Sequence, residues 1–495
     1  MASARLRITA SGRRERGGGP GASTIALALL LAVAVSARVW LMVAYGPAFL
    51  GFGDSHEYVT AAAVGVFHDV QKPAGYPIFL QLAHLVSDRL AFTILVQHAL
   101  GVAAGLLLYG AVRRAGAPAW LGLFPAAVVF FGGTGLLLEH ALLGDSLFTF
   151  LQAAGLYAAV RALNRPGVRW ALLAGAAVGA SFWVKTVGLS GVALVPCVLL
   201  LSAPGPLRAR LPGAAAAAAV GVGLVLAYSP VQALVTGHGG YERQGAWNLY
   251  GRVATFVDCS RFTPPAGTRF LCPAQPLSRR ASESFYQYAP AAPAVARFGG
   301  PSRAPAYANG VLERFSVAAI THEPLAYAGA IVRSLGLYFS PRPGEGYTPA
   351  SIREALLEAR GTRSVQPAIA SYYPHDHGYR GAPGATAALD FYERHTRIQG
   401  ALLLVMLIAA VAGAPLLAGR LRAASLLFTL TAVCSVALAA AGNSYDARYG
   451  YPAFGPLAAG AALGAWAIAG RLTRARGRRG TPVPGAWAHG RATPR

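Results

Sequence analysis

The sequence predicts an all-α polytopic membrane protein, and three observations carry that prediction. Only 13% of the 495 residues are charged and 55% are hydrophobic, whereas a soluble domain has roughly 25% charged residues. Several apolar runs reach roughly 17 residues or more, enough to cross about 30 Å of hydrocarbon at 1.5 Å per residue. The basic residues fall largely at the ends of those runs, at every second connection. A net charge of +24 would point to nucleic acid in a soluble chain; here it follows topology, and no nucleic-acid partner is expected. All but two of the 43 basic residues are Arg, the exceptions being Lys72 and Lys185.

Taken in order, the first 23 residues are basic and polar, with Arg5, Arg7, Arg13, Arg14 and Arg16. The apolar run that follows is too long for a signal-peptide core and reads as a retained first helix. Spans are expected at about 24–46, 91–112, 118–138, 146–163, 169–184, 187–203, 213–236, 399–419, 423–441 and 452–470, about ten helices in all. Arg113 with Arg114, Arg165 with Arg169, Arg208 with Arg210, Arg420 with Arg422, and the tail from Arg471 to Arg479 share the phase of the basic N-terminus. The positive-inside rule makes that side cytoplasmic, with both termini inside. The alternate connections face outward: the first loop (47–90), Glu139 to Asp145, the turn at Lys185, the segment 237–398, and Asn443 to Tyr451.

This divides the chain into an N-terminal membrane region (1–236, seven helices), a segment 237–398 large enough for an extracytoplasmic domain, a C-terminal membrane region (399–475, three helices) and a basic, disordered cytoplasmic tail (476–495). Within the outer segment 237–398, Glu323 to Ser340 is apolar but interrupted by Arg333. A span there would invert everything after it, so an interfacial helix over 323–340 is expected. Cys259 and Cys272 share this polar segment. If it is extracytoplasmic, a disulfide between them is expected, two free thiols being the alternative. No repeat of solenoid period occurs.

The residues able to carry chemistry gather on the outer face. Asp54, with Glu57 three residues on and Tyr58 on the same helical face, fits a capped helix start. A capped carboxylate is also a rigidly held one. Asp145 opens the fourth span, after Glu139 and His140. Charge this near hydrocarbon is usually kept for pairing or function. The cations are Lys72, in the helix-breaking turn Lys72-Pro-Ala-Gly-Tyr-Pro77 that also holds Tyr76, then Lys185, then Arg448 beside Tyr449. Each alone reads as a snorkelling side chain. Three on one face with two acids suit an anionic lipid phosphate and proton abstraction.

In their order and shared sidedness these motifs resemble the GT-C superfamily of membrane glycosyltransferases, in the branch of the protein O-mannosyltransferases and the aminoarabinose transferase of lipid A. The matching positions are Asp54 after the first helix, the turn Lys72, Pro73, Gly75, Tyr76, Pro77, the stretch Glu139, His140 and Asp145 to Phe148, and the pair Arg448, Tyr449 with Pro452. The likeness covers the membrane part, about two-thirds of the chain. The first loop reads Asp-Ser-His-Glu where the family has paired adjacent acids.

What the resemblance implies is a GT-C-like bundle with an outer first loop of short helices and a larger outer domain. It also implies an inverting glycosyltransferase of the plasma membrane, moving a hexosyl or pentosyl group from a polyprenyl-phosphate-linked donor to an envelope glycan, lipid or protein acceptor. Asp54 is then the general base and Asp145 positions the acceptor. Lys72, Arg448 and Lys185 neutralise the departing phosphate, while Glu57, Tyr58, Tyr76, Glu139, His140 and Tyr449 bind substrate. No cofactor is expected. The loop pair His375 and His377 lacks further clear metal ligands, and no glycine pattern suits a nucleotide. A transporter or flippase for lipid-linked intermediates is the main rival. It predicts paired helix breaks near the bilayer midplane, and the sequence shows no such pairing. A non-catalytic scaffold built on 237–398 would leave the clustered acids and cations without a role.

Overall fold

A computed structural model describes residues 21–50, 54–68, 72–164, 167–237, 239–241, 244–340, 367–376, 380–381, 384–443 and 445–479. The N-terminal arginines, Gly53, Arg165, His377 and the end of the basic tail lie outside these residues.

Apolar sequence of sufficient length becomes helix because only a helix satisfies its own backbone in hydrocarbon. The membrane-length helices are α1 (Ala22–Ala44), α4 (Leu90–Arg114), α7 (Asp145–Asn164), α10 (Leu207–Thr236), α18 (Ala401–Gly413, the core of a longer apolar stretch), α19 (Gly419–Gly442) and α20 (Ala447–Arg479). Seven helices thus pass by length and composition among the described residues. An eighth span is broken: α5 (Ala119–Phe131) and α6 (Gly133–His140) meet at a 52° bend. The break falls at Gly132, whose extended backbone ends α5. Two further expected spans, α8 (Val168–Val184) and α9 (Leu189–Ser202), are short apolar helices joined through Lys185. The expected spans therefore all coincide with helices, with one correction: the third is two helices rather than one.

Helix α4 packs on α5 and α7, α8 on α7 and α10, and α20 on α18, α19 and α5. Helices α7, α19 and α20 form the interior, whereas α1 and α10 leave most of their length exposed. The first loop holds two short helices, α2 (Asp54–Val64) and α3 (Gly75–His84). Between α10 and α18 lie α11 (Gln244–Ala254), α12 (Glu283–Tyr288), α13 (Pro293–Phe298), α14 (Tyr307–His322), α15 (Pro324–Phe339), α16 (Pro367–Tyr372) and α17 (Ala385–Thr396). Helices α11 to α15 bury their own core around Trp247, Tyr250, Leu312 and Phe315. The disulfide Cys259–Cys272 packs against that core. Helix α15 lies against α18 and α19, burying Ala330, Ser334 and Tyr338 while Leu325 and Val332 stay exposed. A two-residue ribbon joins β1 (Tyr45–Gly46) to β2 (Arg380–Gly381), antiparallel.

Helices α18 and α20 cross backbone against backbone at Gly413 and Gly464. A Cβ on Gly464 would stand 2.0 Å from the carbonyl oxygen of Ala409, and one on Gly413 would stand 2.2 Å from the Cα of Gly464. Backbone cannot yield as a flexible side chain does, so Gly464→Leu forces the helices apart at a cost of about 3 kcal/mol. Gly223 on α10 has open space around its Cβ position. Thermal melting of the detergent-purified protein is expected to drop for Gly464→Leu and to stay at the wild-type midpoint for Gly223→Ala; equal midpoints would place no constraint at this crossing.

Candidate active site

Five chain segments end at one end of the bundle, and local sequence explains each. Asp54 is the first residue of α2, where the free N–H groups and helix dipole favour a carboxylate. Lys72 precedes Pro73, and the turn is seated by the Ala74 N–H, which donates to the Tyr228 hydroxyl at 3.1 Å. Gly75 then starts α3 so close to α8 that a Cβ would lie 2.5 Å from the Trp183 carbonyl oxygen. Only glycine lets the turn, and Lys72 with it, reach the end of α8. Asp145 is the first residue of α7 and is completely buried. Lys185 has extended backbone in the gap between α8 and α9. Arg448 sits in the first turn of α20, its N–H donating to the Asp446 carboxylate at 2.9 Å, an Asx cap that fixes the helix start.

These side chains form one alternating ladder of charge. Lys72 Nζ lies 2.9 Å from Asp54 Oδ1. Arg448 Nη1 donates to Asp54 Oδ2 at 2.8 Å and Arg448 Nε to Asp145 Oδ2 at 3.0 Å. Lys185 Nζ donates to Asp145 Oδ1 at 2.5 Å and stands 6.0 Å from the centre of the Tyr449 ring. Glu57 is farther from Lys72, at 3.8 Å. Burial opposes the ionisation of Asp54, but Arg448 and Lys72 outweigh it and hold the carboxyl well below the usual carboxylate range. Burial likewise works against the charge on Lys72, and Asp54 outweighs it, raising the ammonium pKa. Four members of the ladder, Asp54, Lys72, Lys185 and Arg448, line with Tyr58 and Tyr449 an open-sided cleft of about 200 Å³, whose other walls come from α11 (Gln244, Gly245, Asn248) and α19 (Leu438, Ala439, Gly442).

The structure thus brings Asp54, Tyr58, Lys72, Lys185, Arg448 and Tyr449 to one cleft, with Asp145 buried behind Arg448 and Lys185, and it does not bring the other expected residues there. Glu139 and His140, expected to bind substrate, lie away from this cleft. Both are completely buried. Glu139 forms a two-pronged pair with Arg38 of α1, at 2.7 and 2.8 Å, and lies 3.0 Å from His98 Nδ1. His98 Nε2 is 3.1 Å from His140 Nδ1, and His140 Nε2 donates to the Tyr45 carbonyl at 2.5 Å. A buried carboxylate beside a guanidinium is satisfied by it, and no face of the pair opens to a ligand. Tyr76 is buried too, its hydroxyl donating to Gln97 at 2.5 Å. His375 is at the surface, 3.2 Å from Asp88. Among the described residues no three His, Cys, Asp or Glu side chains gather as a metal site. Sequence reading missed Gln244 and Asn248 on the cleft and Arg38, Gln97 and His98 behind it. The last three had a signal, being strongly polar residues inside apolar spans.

No protein-family model and no curated protein matches the sequence. Among solved structures, the chain overlaps the archaeal oligosaccharyltransferase AglB from Archaeoglobus fulgidus, described in complex with an inhibitory peptide and a dolichol-phosphate, at 13% identity and a TM-score of 0.45, over 94% of this chain and 52% of that one. The apo form of the Archaeoglobus fulgidus oligosaccharyltransferase is similar at 14% identity and a TM-score of 0.43, over 91% of this chain and 51% of that one. ArnT from Cupriavidus metallidurans in the apo state gives 16% identity and a TM-score of 0.34, over 91% of this chain and 78% of that one. The chain spans about half the length of the archaeal chains it matches. At these values the likenesses carry no weight for substrate or chemistry, which rest on the cleft itself.

Arg448 is the one group bonded to both carboxylates, through two nitrogens in fixed relation. A lysine there presents a single nitrogen on a flexible stem and cannot reproduce this fixed two-nitrogen bridge. Arg448→Lys is therefore expected to cost about 3 kcal/mol, within the range for breaking a buried pair, and to melt as low as Arg448→Met. A wild-type melting point for Arg448→Lys would mean that charge alone, and not the bridge, holds the ladder.

Proposed function

We propose that the chain is a membrane glycosyltransferase that moves a sugar from a polyprenyl-phosphate-linked donor to an acceptor hydroxyl, with the ladder as its active site on the extracytoplasmic face. The observation that carries this reading is the pairing of a cationic cleft with an apolar one on the same helices. Three cations meet Asp54 and Asp145 in direct contact, with Glu57 3.8 Å from Lys72, so a phosphate entering here would find three cationic side chains to share. Near it a second cavity of about 200 Å³ is lined by apolar groups, among them Leu335, Phe339, Val433, Val436 and Leu457. In this reading the charged cleft takes an anionic head and the apolar cavity a hydrocarbon tail.

Asp54 is the base in this reading. It takes the proton of the acceptor hydroxyl while that oxygen forms a bond to the anomeric carbon. The bond from that carbon to the phosphate oxygen breaks, and the phosphate leaves with the electron pair, stabilised by Arg448, Lys72 and Lys185. Asp145, buried and held by two cations, fixes Arg448 and Lys185 in place. A single displacement of this kind inverts the configuration at the carbon. Asp54 in the resting ladder is a weak base because its cations hold its pKa down. A phosphate that shares Lys72 and Arg448 relieves that hold and raises Asp54 toward useful basicity, which ties proton abstraction to donor binding.

Two measurements test this. Asp54→Asn is expected to lower transfer of labelled sugar from a lipid-linked donor at least about 100-fold, the lower range for loss of a general base, while the protein still binds polyprenyl phosphate. Retained turnover removes Asp54 as base. The pH profile supplies the sign. A depressed carboxyl stays ionised well into acid, so the acid limb of kcat/KM lies below the ordinary carboxylate value of about 3.9. Lys72→Met removes one of the groups that lower it, and the limb is expected to move to higher pH; an unmoved limb would assign it to another group.

A further inference from the structure

We infer that Gln244 and Asn248 of α11 read the hydroxyl groups of the transferred sugar. The inference rests on the transferase reading above and adds to it the residues that would recognise the carried group.

Residues 244, 248 and 252 are spaced four apart and share one face of α11. The first two line the cleft together with Gly245. Gln244 Nε2 donates to Asn248 Oδ1 at 3.0 Å and to the Tyr288 hydroxyl at 2.8 Å. The Asn248 amide NH2 has no partner among the described residues. Whichever way these amides are turned, the linked pair offers both donor and acceptor capacity. A Cβ at Gly245 would meet nothing within 4 Å, so the wall is open between them. This wall carries no charge, unlike the ladder. Neutral donor and acceptor groups suit hydroxyls.

The third residue of the stripe ties this wall to the cations. Arg252 is almost wholly buried, paired with Glu283 at 2.7 Å, and also donates to the Asn443 carbonyl. Gln287 Nε2 donates to the Asn443 side chain at 3.1 Å, and Asn443 Nδ2 donates to the Tyr449 hydroxyl at 3.0 Å. Tyr449 is the neighbour of Arg448. The amides are thereby held at a set position relative to the phosphate-binding group, as discrimination between a bare and a glycosylated lipid phosphate requires.

The test uses the full chain in nanodiscs and native mass spectrometry, with polyprenyl phosphate and its glucose, galactose and mannose phosphodiesters as probes. Wild type is expected to hold at least one hexosyl lipid about tenfold or more tightly than bare polyprenyl phosphate, the effect of one or two good hydrogen bonds. Gln244→Leu with Asn248→Leu is expected to bring that ratio near one while bare-lipid affinity stays unchanged, which also reports that the protein is folded. Gly245→Leu, which projects into open space, is expected to lose the same preference independently. The inference is overturned if wild type shows no preference for any hexosyl lipid, or if both variants keep it. If wild type binds neither form, the transferase reading falls, and the sugar reading with it.

Discussion

The Arg448 guanidinium is the contact on which the rest of the site depends. It joins Asp54 at the start of α2 to Asp145 at the start of α7, two residues 91 positions apart in the chain. Asp145 is out of reach of water, and an uncompensated buried carboxylate is among the costliest groups a fold can hold. Lys185 alone would leave one of its oxygens unserved. The planar fork of Arg448 serves that oxygen and reaches Asp54 with another nitrogen, so that one side chain sets the spacing between two helix starts. The ladder ends in a lysine on either side, and both lysines of the chain are spent there.

Two polar networks sit at this end of the bundle, and the difference between them is access. The Arg38, Glu139, His98, His140 network is closed: each link ends on another side chain or a backbone carbonyl. It fastens α1, α4 and α6 to one another and to the Tyr45 backbone, and Phe49 and Ala141 form a bridge beside it. Helix α7 starts four residues later. The closed network therefore fixes the elbow from which Asp145 projects, while the open ladder faces the cleft. Chemistry requires the open one, and rigidity of the open one is supplied by the closed one.

Much of this was legible in the sequence because sidedness is legible. Arginines at alternate connections placed Asp54, Lys72, Asp145, Lys185 and Arg448 on one face, and those five are the ladder. Glu139 and His140 passed the same filter and yet lie behind the site. Sidedness reports depth along the bundle normal and says nothing of which way a side chain turns. The partner that decides the matter, Arg38, stands 101 positions away inside an apolar span. The bend at Gly132 was hidden for a similar reason, since hydropathy is continuous across it. Gln244 and Asn248 were not legible, because a polar residue in a polar segment looks the same whether it faces a cleft or bulk water.

The direction of a ligand in the site follows from one helix. Helix α19 contributes Ala432, Val433 and Val436 to the apolar cavity and Leu438, Ala439, Gly442 and Asn443 at its end to the charged one. At 1.5 Å per residue, the stretch from 432 to 442 covers about 15 Å. A free sugar phosphate would fill the charged end and leave the apolar end empty, and a plain hydrocarbon would do the reverse. In the proposed reading the anionic head of a lipid-linked donor lies at the helix starts and its tail toward the apolar cavity. Under that reading a group carried beyond the phosphate meets Gln244 and Asn248 of α11, and Arg448 stands beside the phosphate.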